Sequence, residues 1–556
     1  MTVTRGAFAY PGTSTDYHTG SWRLSRPAHV LRPAPCASAC PAGENPREIE
    51  KYFSLGELQR AWETIVEANP LPAVTGRVCP HPCEEACLRQ HVDAPVAIAT
   101  LERTLGDEAI ARGFAYPGPF AATKGQVAVV GSGPAGISAA YHLLRLGFKP
   151  VIFEKERQLG GLLRLGIPAW RLPRAMLDAE IRRILDLGIE VRLGEELGRT
   201  ISLGELREQF SAVVLAIGKE LPRPWSVEGA VHWDARDGLS LLRAYHRGAL
   251  ADVPEKVAIV GAGNTAIDTA RLLRFLGAKE VHIITELALP SEGKGGDAIP
   301  AFPHEVAMAM EEGIIFHPRR GVGRLIFRGG KFWGLELVHM RKLPHHGHFE
   351  RVPFEGTEGL LPVDMVIPAI GEALDPKGVE SLLNPRGEID ADAQTSIPGH
   401  EGIFLCGDAH PLLGGWVSSA VGSGARAAQS CAAFISREPF PTLETLAPVQ
   451  KEDMHTIYFA PQARIGVSQL PAAERGLEKE TVLAVTPGEG QEEAKRCMSC
   501  GACLWCDNCW TFCPDAAVVK LAPGEIPYAF DLDYCKGCGI CAAECPTSLI
   551  RMSEEI

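Results

Sequence analysis

The residues best suited to chemistry in this 556-residue sequence are its 17 cysteines, fifteen of which fall into two groups. Near the C-terminus, Cys503-x2-Cys506-x2-Cys509-x3-Cys513-Pro514 is followed by Cys535-x2-Cys538-x2-Cys541-x3-Cys545-Pro546. Thiolates stabilise soft iron, and paired runs of this kind form the bacterial two-cluster ferredoxin pattern, in which the fourth cysteine of each run serves the other cluster. The spacing assigns Cys503, Cys506, Cys509 and Cys545 to one 4Fe–4S centre and Cys535, Cys538, Cys541 and Cys513 to a second. Two matching runs make a zinc ribbon the weaker reading. Cys497 and Cys500 are left over, as structural thiols or as ligands to a further centre. The other group is Cys36-x3-Cys40 and Cys79-Pro80-His81-Pro82-Cys83-x3-Cys87. Its spacing also suits an iron–sulfur cluster, although cysteine with His81 would serve a tetrahedral zinc ion as well. Cys406 and Cys431 stand alone and read as small buried residues. A disulfide framework belongs to small secreted domains, not to a chain of this length.

Two glycine-rich turns lie between the cysteine groups. The apolar run Val127-Ala128-Val129-Val130 meets Gly131-Ser132-Gly133-Pro134-Ala135-Gly136, then a helix-forming stretch and a second apolar run ending on Glu154. In such a strand–turn–helix–strand unit the first glycine permits the turn and the second lets backbone approach a pyrophosphate. The third lets helix pack on strand, while the free N–H groups hold phosphate. Glu154 is placed to bond a ribose hydroxyl. The unit recurs: Val257-Ala258-Ile259-Val260 leads to Gly261-Ala262-Gly263-Asn264-Thr265-Ala266, a helix, a strand and Glu286. One such turn is a weak signal; two complete units indicate two dinucleotides. Around the first, Leu159-Gly160-Gly161-Leu162-Leu163-Arg164 is a turn fit to admit the other half of a flavin. The strand 212–218 ends on Gly218, and 364–371 ends on Gly371. The strand 402–409 brings Gly407 and Asp408, whose carboxylate suits ribityl hydroxyls or, more plainly, a helix cap. A small-residue helix follows, with Ala420 near its start.

These elements define an α/β flavoprotein with two dinucleotide-binding domains, the FAD Rossmann domain carrying an inserted NAD Rossmann domain. An α-helical iron–sulfur domain precedes it and a bacterial-ferredoxin-like α+β domain follows. The helical reading rests on Ile49, Tyr52, Phe53, Leu58, Ala61, Trp62, Ile65 and Val66, which recur near a 3.6 period. The expected boundaries are 1–122 for an N-terminal arm and iron–sulfur domain, 123–245 for the first FAD part and 246–355 for the NAD(P)H domain. The second FAD part takes 356–440, a connecting segment 441–490 and the ferredoxin-like domain 491–556. The first thirty or so residues read as an arm or loop, and 120–125 as a short linker. A near-repeat, Gly6-Ala7-Phe8-Ala9-Tyr10-Pro11-Gly12 and Gly113-Phe114-Ala115-Tyr116-Pro117-Gly118, has no evident role. The net charge of -13 argues against nucleic acid, which asks for a basic face. No apolar stretch reaches membrane-spanning length and no signal core opens the chain, so a cytoplasmic protein without a membrane span is expected.

The order of parts resembles the small (beta) subunit of bacterial glutamate synthase and its NAD(P)H:ferredoxin or acceptor oxidoreductase relatives, here with a fused two-cluster ferredoxin domain. The resemblance covers residues 36–435. It is carried by Asn69-Pro70-Leu71-Pro72, Thr75-Gly76-Arg77-Val78-Cys79-Pro80, Cys83-Glu84-x2-Cys87, the two glycine turns and Gly166-Ile167-Pro168-x2-Arg171-Leu172-Pro173. It implies one N-terminal cluster held by Cys40, Cys79, Cys83 and a carboxylate matched best by Glu102, making three 4Fe–4S clusters in all. Relatives with two N-terminal clusters carry a Cys-x2-Cys pair just upstream of Cys36, where residues 29–35 hold no cysteine here. Cys36 and Cys87 are then free thiols, unless one of them completes an all-thiolate site. NADP-using relatives place arginines after the second Rossmann strand; here Thr285-Glu286-Leu287 favours NAD(H) over NADP(H), since a carboxylate accepts from a free ribose 2′-OH and repels a phosphate.

The function expected is an iron–sulfur flavoprotein oxidoreductase that moves electrons between NAD(P)H and a one-electron, low-potential partner. That partner is a ferredoxin or a larger redox subunit in a hetero-oligomeric complex. Hydride brings two electrons while each cluster carries one, and a flavin can divide the pair. No acid–base pair or nucleophile is required. Three other readings compete: the glutamate synthase small subunit, an electron-bifurcating subunit, and a scaffold whose clusters only assemble a complex.

Overall fold

Residues Val127, Ala128, Val129 and Val130 are all buried, so the strand Gln126–Val130 has no solvent face, as befits the middle of a parallel sheet. The computed structural model describes residues 18–118, 121, 124–229, 236–250, 253–293, 295–345, 348–440, 446–522, 524 and 526–555. In it this strand is the centre of a five-stranded sheet ordered Ile403–Leu405, Ala212–Leu215, Gln126–Val130, Lys149–Glu154 and Glu190–Leu193, with every pair parallel. The strand Ile403–Leu405 joins it from far along the chain, because the second Rossmann unit is inserted between. The helices Pro134–Arg145 and Val417–Ser436 pack together, so closely that a Cβ on Gly424 would meet the Ala135 carbonyl oxygen at 2.2 Å.

The inserted unit builds its own parallel sheet, ordered Met365–Pro368, Lys256–Val260, Glu280–Ile284 and Ile315–His317. Beside it stands an antiparallel sheet of Arg320–Arg328, Lys331–His345 and His348–Pro362, which has no counterpart among the sequence expectations. The boundary expected after residue 355 is corrected here. It falls inside the strand His348–Pro362, and Met365–Pro368 completes the inserted sheet through its register with Val257, Ala258, Ile259 and Val260. The apolar run 364–371 carries no mark of which of two parallel sheets it extends; pairing decides.

Trp170 and Arg171, inside the Gly166 to Pro173 motif, tie the inserted domain to the rest. Trp170 packs in the core of Ile259, Ile267, Leu273 and Ile283. Arg171 is buried and bonds Asp268 at 2.7 Å and Glu305 at 3.1 Å, while Arg271 bonds Glu305 and Glu312. Residues 118–441 and 467–483 form this larger unit, in which Thr481 donates its N–H to the Trp170 carbonyl and Arg475 bonds Glu312 at 3.2 Å.

The smaller unit combines residues 1–117, 442–466 and 484–556. This corrects the expected domains in three respects. The N-terminal and ferredoxin-like segments are one unit, not two. The connecting segment 441–490 is divided between the two units. Part of the supposed N-terminal arm is a strand: Ser25–His29 pairs antiparallel with Ile550–Glu554, the last strand of the chain, from Ser25 on Glu554 to His29 on Ile550. Backbone bonding between segments more than 500 residues apart leaves no local trace in sequence. The helices Pro46–Ser54, Leu58–Val66 and Ile98–Arg112 bury Ile49, Phe53, Ala61, Ile65, Leu101 and Leu105 in one core, which Ala494 joins. Tyr116 donates to the Pro70 carbonyl at 2.9 Å and packs against Trp62 of the helix Leu58–Val66, so the second copy of the near-repeat is packed on that helix. The first copy lies outside the described residues, as do 120, 122 and 123 of the expected linker. Among the described residues no helix is long and apolar enough to cross a membrane.

Candidate functional site

The first glycine turn opens onto a cleft with a cavity volume of about 290 Å³. Gly131 has φ +101°, and a Cβ there would lie 2.4 Å from the Ala216 carbonyl oxygen; one on Gly136 would lie 2.0 Å from that of Gly131. A Cβ on Gly133 would meet nothing within 4 Å, so the loop closes against the sheet at its ends and leaves space at its middle. Gly133 caps the twelve-residue helix Pro134–Arg145, whose free N–H groups and dipole face that space. Gly131, Ser132, Gly133, Pro134, Ala135, Glu154, Gly161, Gly218, Gly407, Asp408 and Ala420 all line the cleft. Segments spread over almost 300 residues thus converge on one surface. Gly136 does not line it, in keeping with its packing role. Arg164 does not either: its Nε donates to the Leu159 carbonyl at 2.6 Å and its Nη2 bonds Asp178, which fastens the Gly161 turn from behind.

Glu154 is buried, with Oε2 accepting from the Ser132 N–H at 2.9 Å and Oε1 from the Glu156 N–H at 2.8 Å. The carboxylate is therefore held in a fixed orientation at the cleft wall. Asp408 accepts from the Gly415 N–H at 2.8 Å, so it braces the approach to the helix Val417–Ser436 while one face borders the cleft. Lys155, Glu220 and Trp416 also line the cleft, and Lys155 bonds Glu220. Sequence reasoning passed over Lys155 and Glu220 because single charged residues carry no spacing signal. A carboxylate poised for a ribose, an open loop at a helix start and a long cleft with apolar and polar walls fit FAD.

The second turn repeats the geometry. Gly261 has φ +127° with a Cβ position 2.2 Å from the Ala369 carbonyl oxygen, and Gly263 is again open. Ala266 is buried, Asn264 Oδ1 accepts from the Phe302 N–H at 3.1 Å, and Thr265 donates to Glu372 at 3.2 Å. Gly371, three residues past the end of the strand Met365–Pro368, has φ +110°. Glu286 follows the strand Glu280–Ile284, where the charge of Arg351 reaches its carboxylate. Arg319, Lys342 and Arg351 gather about Asp297 at 3.4, 3.6 and 3.1 Å, and Arg319 donates its N–H to the Leu287 carbonyl. Their sequence positions, 33 to 65 residues past Glu286, conceal this grouping.

The smaller unit sorts its cysteines. Cys503, Cys506, Cys509 and Cys545 act on one another electrostatically, as do Cys513, Cys535, Cys538 and Cys541. Burial, together with these neighbours, pushes the Cys503 thiol up to about 11 and those of Cys509 and Cys541 up to about 12. Such thiols keep their protons unless a metal replaces them. Cys513, Cys535, Cys538 and Cys541 line a single small cavity, with Pro514 and Phe530 in its wall. At the N-terminal site, burial and the charges of Cys40, Glu102 and Cys79 raise Cys83. Glu102 is buried, with Oε1 accepting from Asn69 Nδ2 at 3.1 Å and from Thr75, and Oε2 3.1 Å from His81 Nε2. His81 adopts φ +53° between Cys79 and Cys83; burial lowers its pKa, but Glu102 more than restores it. Cys40, Cys79 and Glu102 thus act on Cys83, with Glu102 itself held by three side chains. Among the described residues no three His, Cys, Asp or Glu side chains form a group that could hold a metal ion. Zinc needs ligands about 2.3 Å from a single ion, whereas a cubane presents a separate iron to each thiolate.

The family model described as pyridine nucleotide-disulphide oxidoreductase matches residues 125–429, more than half of the chain. This chain belongs to that family. Two further models match, dihydropyrimidine dehydrogenase domain II with a 4Fe-4S cluster over residues 30–114 and a 4Fe-4S binding domain over 528–551. The beta subunit of the NADP(+)-dependent formate dehydrogenase of Moorella thermoacetica is 32% identical over 511 residues, covering 84% of this chain and 70% of that one. The NAD-dependent dihydropyrimidine dehydrogenase subunit PreT of Escherichia coli (strain K12) is 36% identical over 284 residues, 50% of this chain and 67% of that one. The glutamate synthase [NADPH] small chain of Bacillus subtilis (strain 168) is 31% identical over 401 residues, 67% of this chain and 80% of that one. The resemblance read from the sequence is upheld. This pyridine nucleotide-disulphide oxidoreductase is an iron–sulfur flavoprotein that moves electrons between NAD(P)H and an acceptor through FAD and 4Fe–4S clusters. Despite the family's name, the cysteines of its larger unit, Cys406 and Cys431, are both buried free thiols pushed up to about 12 by burial, so they are poorly placed for disulfide exchange.

Proposed function

We propose that this chain accepts electrons from NADH at FAD and passes them singly, through one N-terminal and two C-terminal 4Fe–4S centres, to a ferredoxin or to a partner subunit of a hetero-oligomeric redox complex. The observation that carries the reading is the convergence of Gly131, Ser132, Gly133, Pro134, Ala135, Glu154, Gly161, Gly218, Gly407, Asp408 and Ala420 on one cleft. FAD, when bound, supplies the conversion of a hydride's two electrons into single ones. The chain's own residues do the positioning. Backbone N–H groups at Gly133 and the start of the helix hold pyrophosphate, Glu154 accepts from a ribose hydroxyl, and Asp408 accepts from the ribityl chain. Gly261, Gly263, Asn264, Thr265, Ala266 and Gly371 cradle the nicotinamide dinucleotide in the same manner. Cys40, Cys79, Cys83 and Glu102 serve the N-terminal centre, while the two ferredoxin sets serve the others. The names of the relatives, a beta subunit, a PreT subunit and a small chain, support a partnered assembly.

Glu286 supports NADH, because its carboxylate accepts from a free 2′-OH. A second reading, NADPH, draws on Arg319, Lys342 and Arg351 near the same segment. Anaerobic stopped-flow mixing distinguishes them: flavin bleaching is expected with a higher kcat/KM for NADH, and Glu286→Arg is expected to lower that value roughly 10- to 100-fold, as loss of a charged hydrogen bond does. A wild-type preference for NADPH overturns the coenzyme assignment. No bleaching with either coenzyme overturns the catalytic reading in favour of a scaffold.

A further inference from the structure

Six cysteines stand outside the three sets above; Cys406 and Cys431 belong to the larger unit, and the fold brings the other four together. The helix Pro35–Ala39 carries Cys36 at its start and Cys40 at its cap, one turn later; the helix Pro82–Glu85 carries Cys83, with Cys87 one turn later. The two helices pack on each other. Cys40 acts electrostatically on Cys83, and Cys87 on Cys36, so each helix gives one thiol to each of two neighbouring sites. The segment that follows the helix Pro487–Ala494 arrives beside the second site. That helix packs against Pro46–Ser54 and Ile98–Arg112. The buried Arg496 bonds Asp93 at 2.7 Å and the Ala94 carbonyl at 2.6 Å, while Arg89, two residues past Cys87, donates to the Arg496 carbonyl at 3.1 Å. Arg47 donates to the Cys500 carbonyl at 2.9 Å. Cys497 and Cys500 are thereby fixed from both sides.

The thiols then face one another. Cys36 feels Cys87 and Cys500, Cys497 feels Cys36 and Cys500, and Cys500 feels Cys87. Cys36 and Cys87 pack against the core of Ile49, Phe53 and Ala494. Cys500 packs against the cluster of Val449, Met454 and Met498, as does Leu88, the residue after Cys87. Backbone N–H groups of Ala37, Arg89, Val96 and Ser499 face these sulfurs. Glu50, only 2% exposed, turns a carboxyl with no hydrogen-bond partner for either oxygen toward Cys36, Cys87 and Cys497. An orphaned buried carboxyl is costly in a closed apolar core and marks a site built for something polar.

The loop itself carries the second sign. In Cys497-x2-Cys500 the residue before the second cysteine, Ser499, adopts φ +50°. Trp505 in Cys503-x2-Cys506 and Gly537 in Cys535-x2-Cys538 occupy the same position, with φ +59° and +73°. A left-handed residue other than glycine is strained, and it recurs where a loop wraps a cluster. All four thiols are free, so neither a disulfide nor a second pairing accounts for them.

We infer that Cys36, Cys87, Cys497 and Cys500 hold a fourth 4Fe–4S cluster, assembled from the two ends of the chain and lying between the N-terminal site and the ferredoxin sets. It adds a centre to the three of the preceding reading. Cys36 is one helical turn from Cys40, and Cys500 is three residues from Cys503, so this site links sets that the sequence separates by more than 400 residues.

The test is an iron and acid-labile sulfide count on the full-length chain, purified anaerobically and reconstituted with ferrous iron and sulfide. About 16 irons per chain are expected, four per cubane, and about four fewer in a Cys497→Ala/Cys500→Ala double variant, with flavin content unchanged. The wild-type count needs no variant to fold: about 12 irons overturns the fourth cluster. So does about one zinc that the double variant loses in place of iron. A Cys509→Ala/Cys541→Ala variant separates the two readings, since retention of all its iron would sink the ferredoxin sets and leave the fourth site standing.

Discussion

At Gly131 a single methyl group decides whether the flavin cleft exists. The residue sits at φ +101°, and the added Cβ would lie 2.4 Å from the Ala216 carbonyl oxygen, with backbone on both sides and nothing flexible to yield. Gly131→Ala is expected to give a chain with little or no bound flavin while its iron content persists, because the cysteine sets lie in the other unit. The flavin-to-iron ratio of the purified variant checks this, and a normal ratio would refute it. Gly133 contrasts with it, since a Cβ there meets nothing within 4 Å and only the bound dinucleotide forbids it. The glycine pattern was legible in the sequence because backbone geometry alone demands it. Lys155 and Glu220 were not, since their presence in the cleft depends on which strands become neighbours.

Between elements, the tie of the inserted domain rests on buried charge. Arg171 bonds Asp268 and Glu305 in a site without solvent, and removing it leaves Asp268 without a bonded cation among the described residues. Arg171→Ala is expected to cost about 3–5 kcal/mol, as loss of one partner of a buried pair does, read as a lowered urea midpoint for flavin release. A midpoint within error of wild type would show that the network does not hold the domains. Proton linkage acts on the same domain. His282 and His317 meet at 3.1 Å on neighbouring strands, and burial holds both below the usual histidine range. The unfolded chain therefore takes up protons near pH 6.5 that the folded sheet refuses. The stability these residues contribute is present above that pH and is lost as the pH falls through the depressed values. Hydrogen exchange across residues 280–317 is expected to be faster at about pH 5.5 than at about pH 7.5 relative to the intrinsic rate, and His317→Gln is expected to shrink the difference. Equal protection at both pH values would count against it.

Over the whole molecule, the two ends of the chain form one iron–sulfur unit. The ladder from Ser25 on Glu554 to His29 on Ile550 closes it. Deleting residues 1–30 is expected to speed iron loss from the C-terminal cysteine sets under a chelator while the flavin stays bound, and unchanged release would argue that the ladder is incidental. The sequence by itself determined both Rossmann units and the two C-terminal cysteine runs, because glycine turns and Cys-x2-Cys spacings are short-range requirements of phosphate and iron. Only the tertiary structure decided that Met365–Pro368 belongs to the inserted sheet and that the first described strand pairs with the last. It also brought the unassigned Cys36 and Cys87 to Cys497 and Cys500. Those choices are made by pairing and packing between segments hundreds of residues apart, where many alternatives satisfy the same local pattern and only the assembled core selects one.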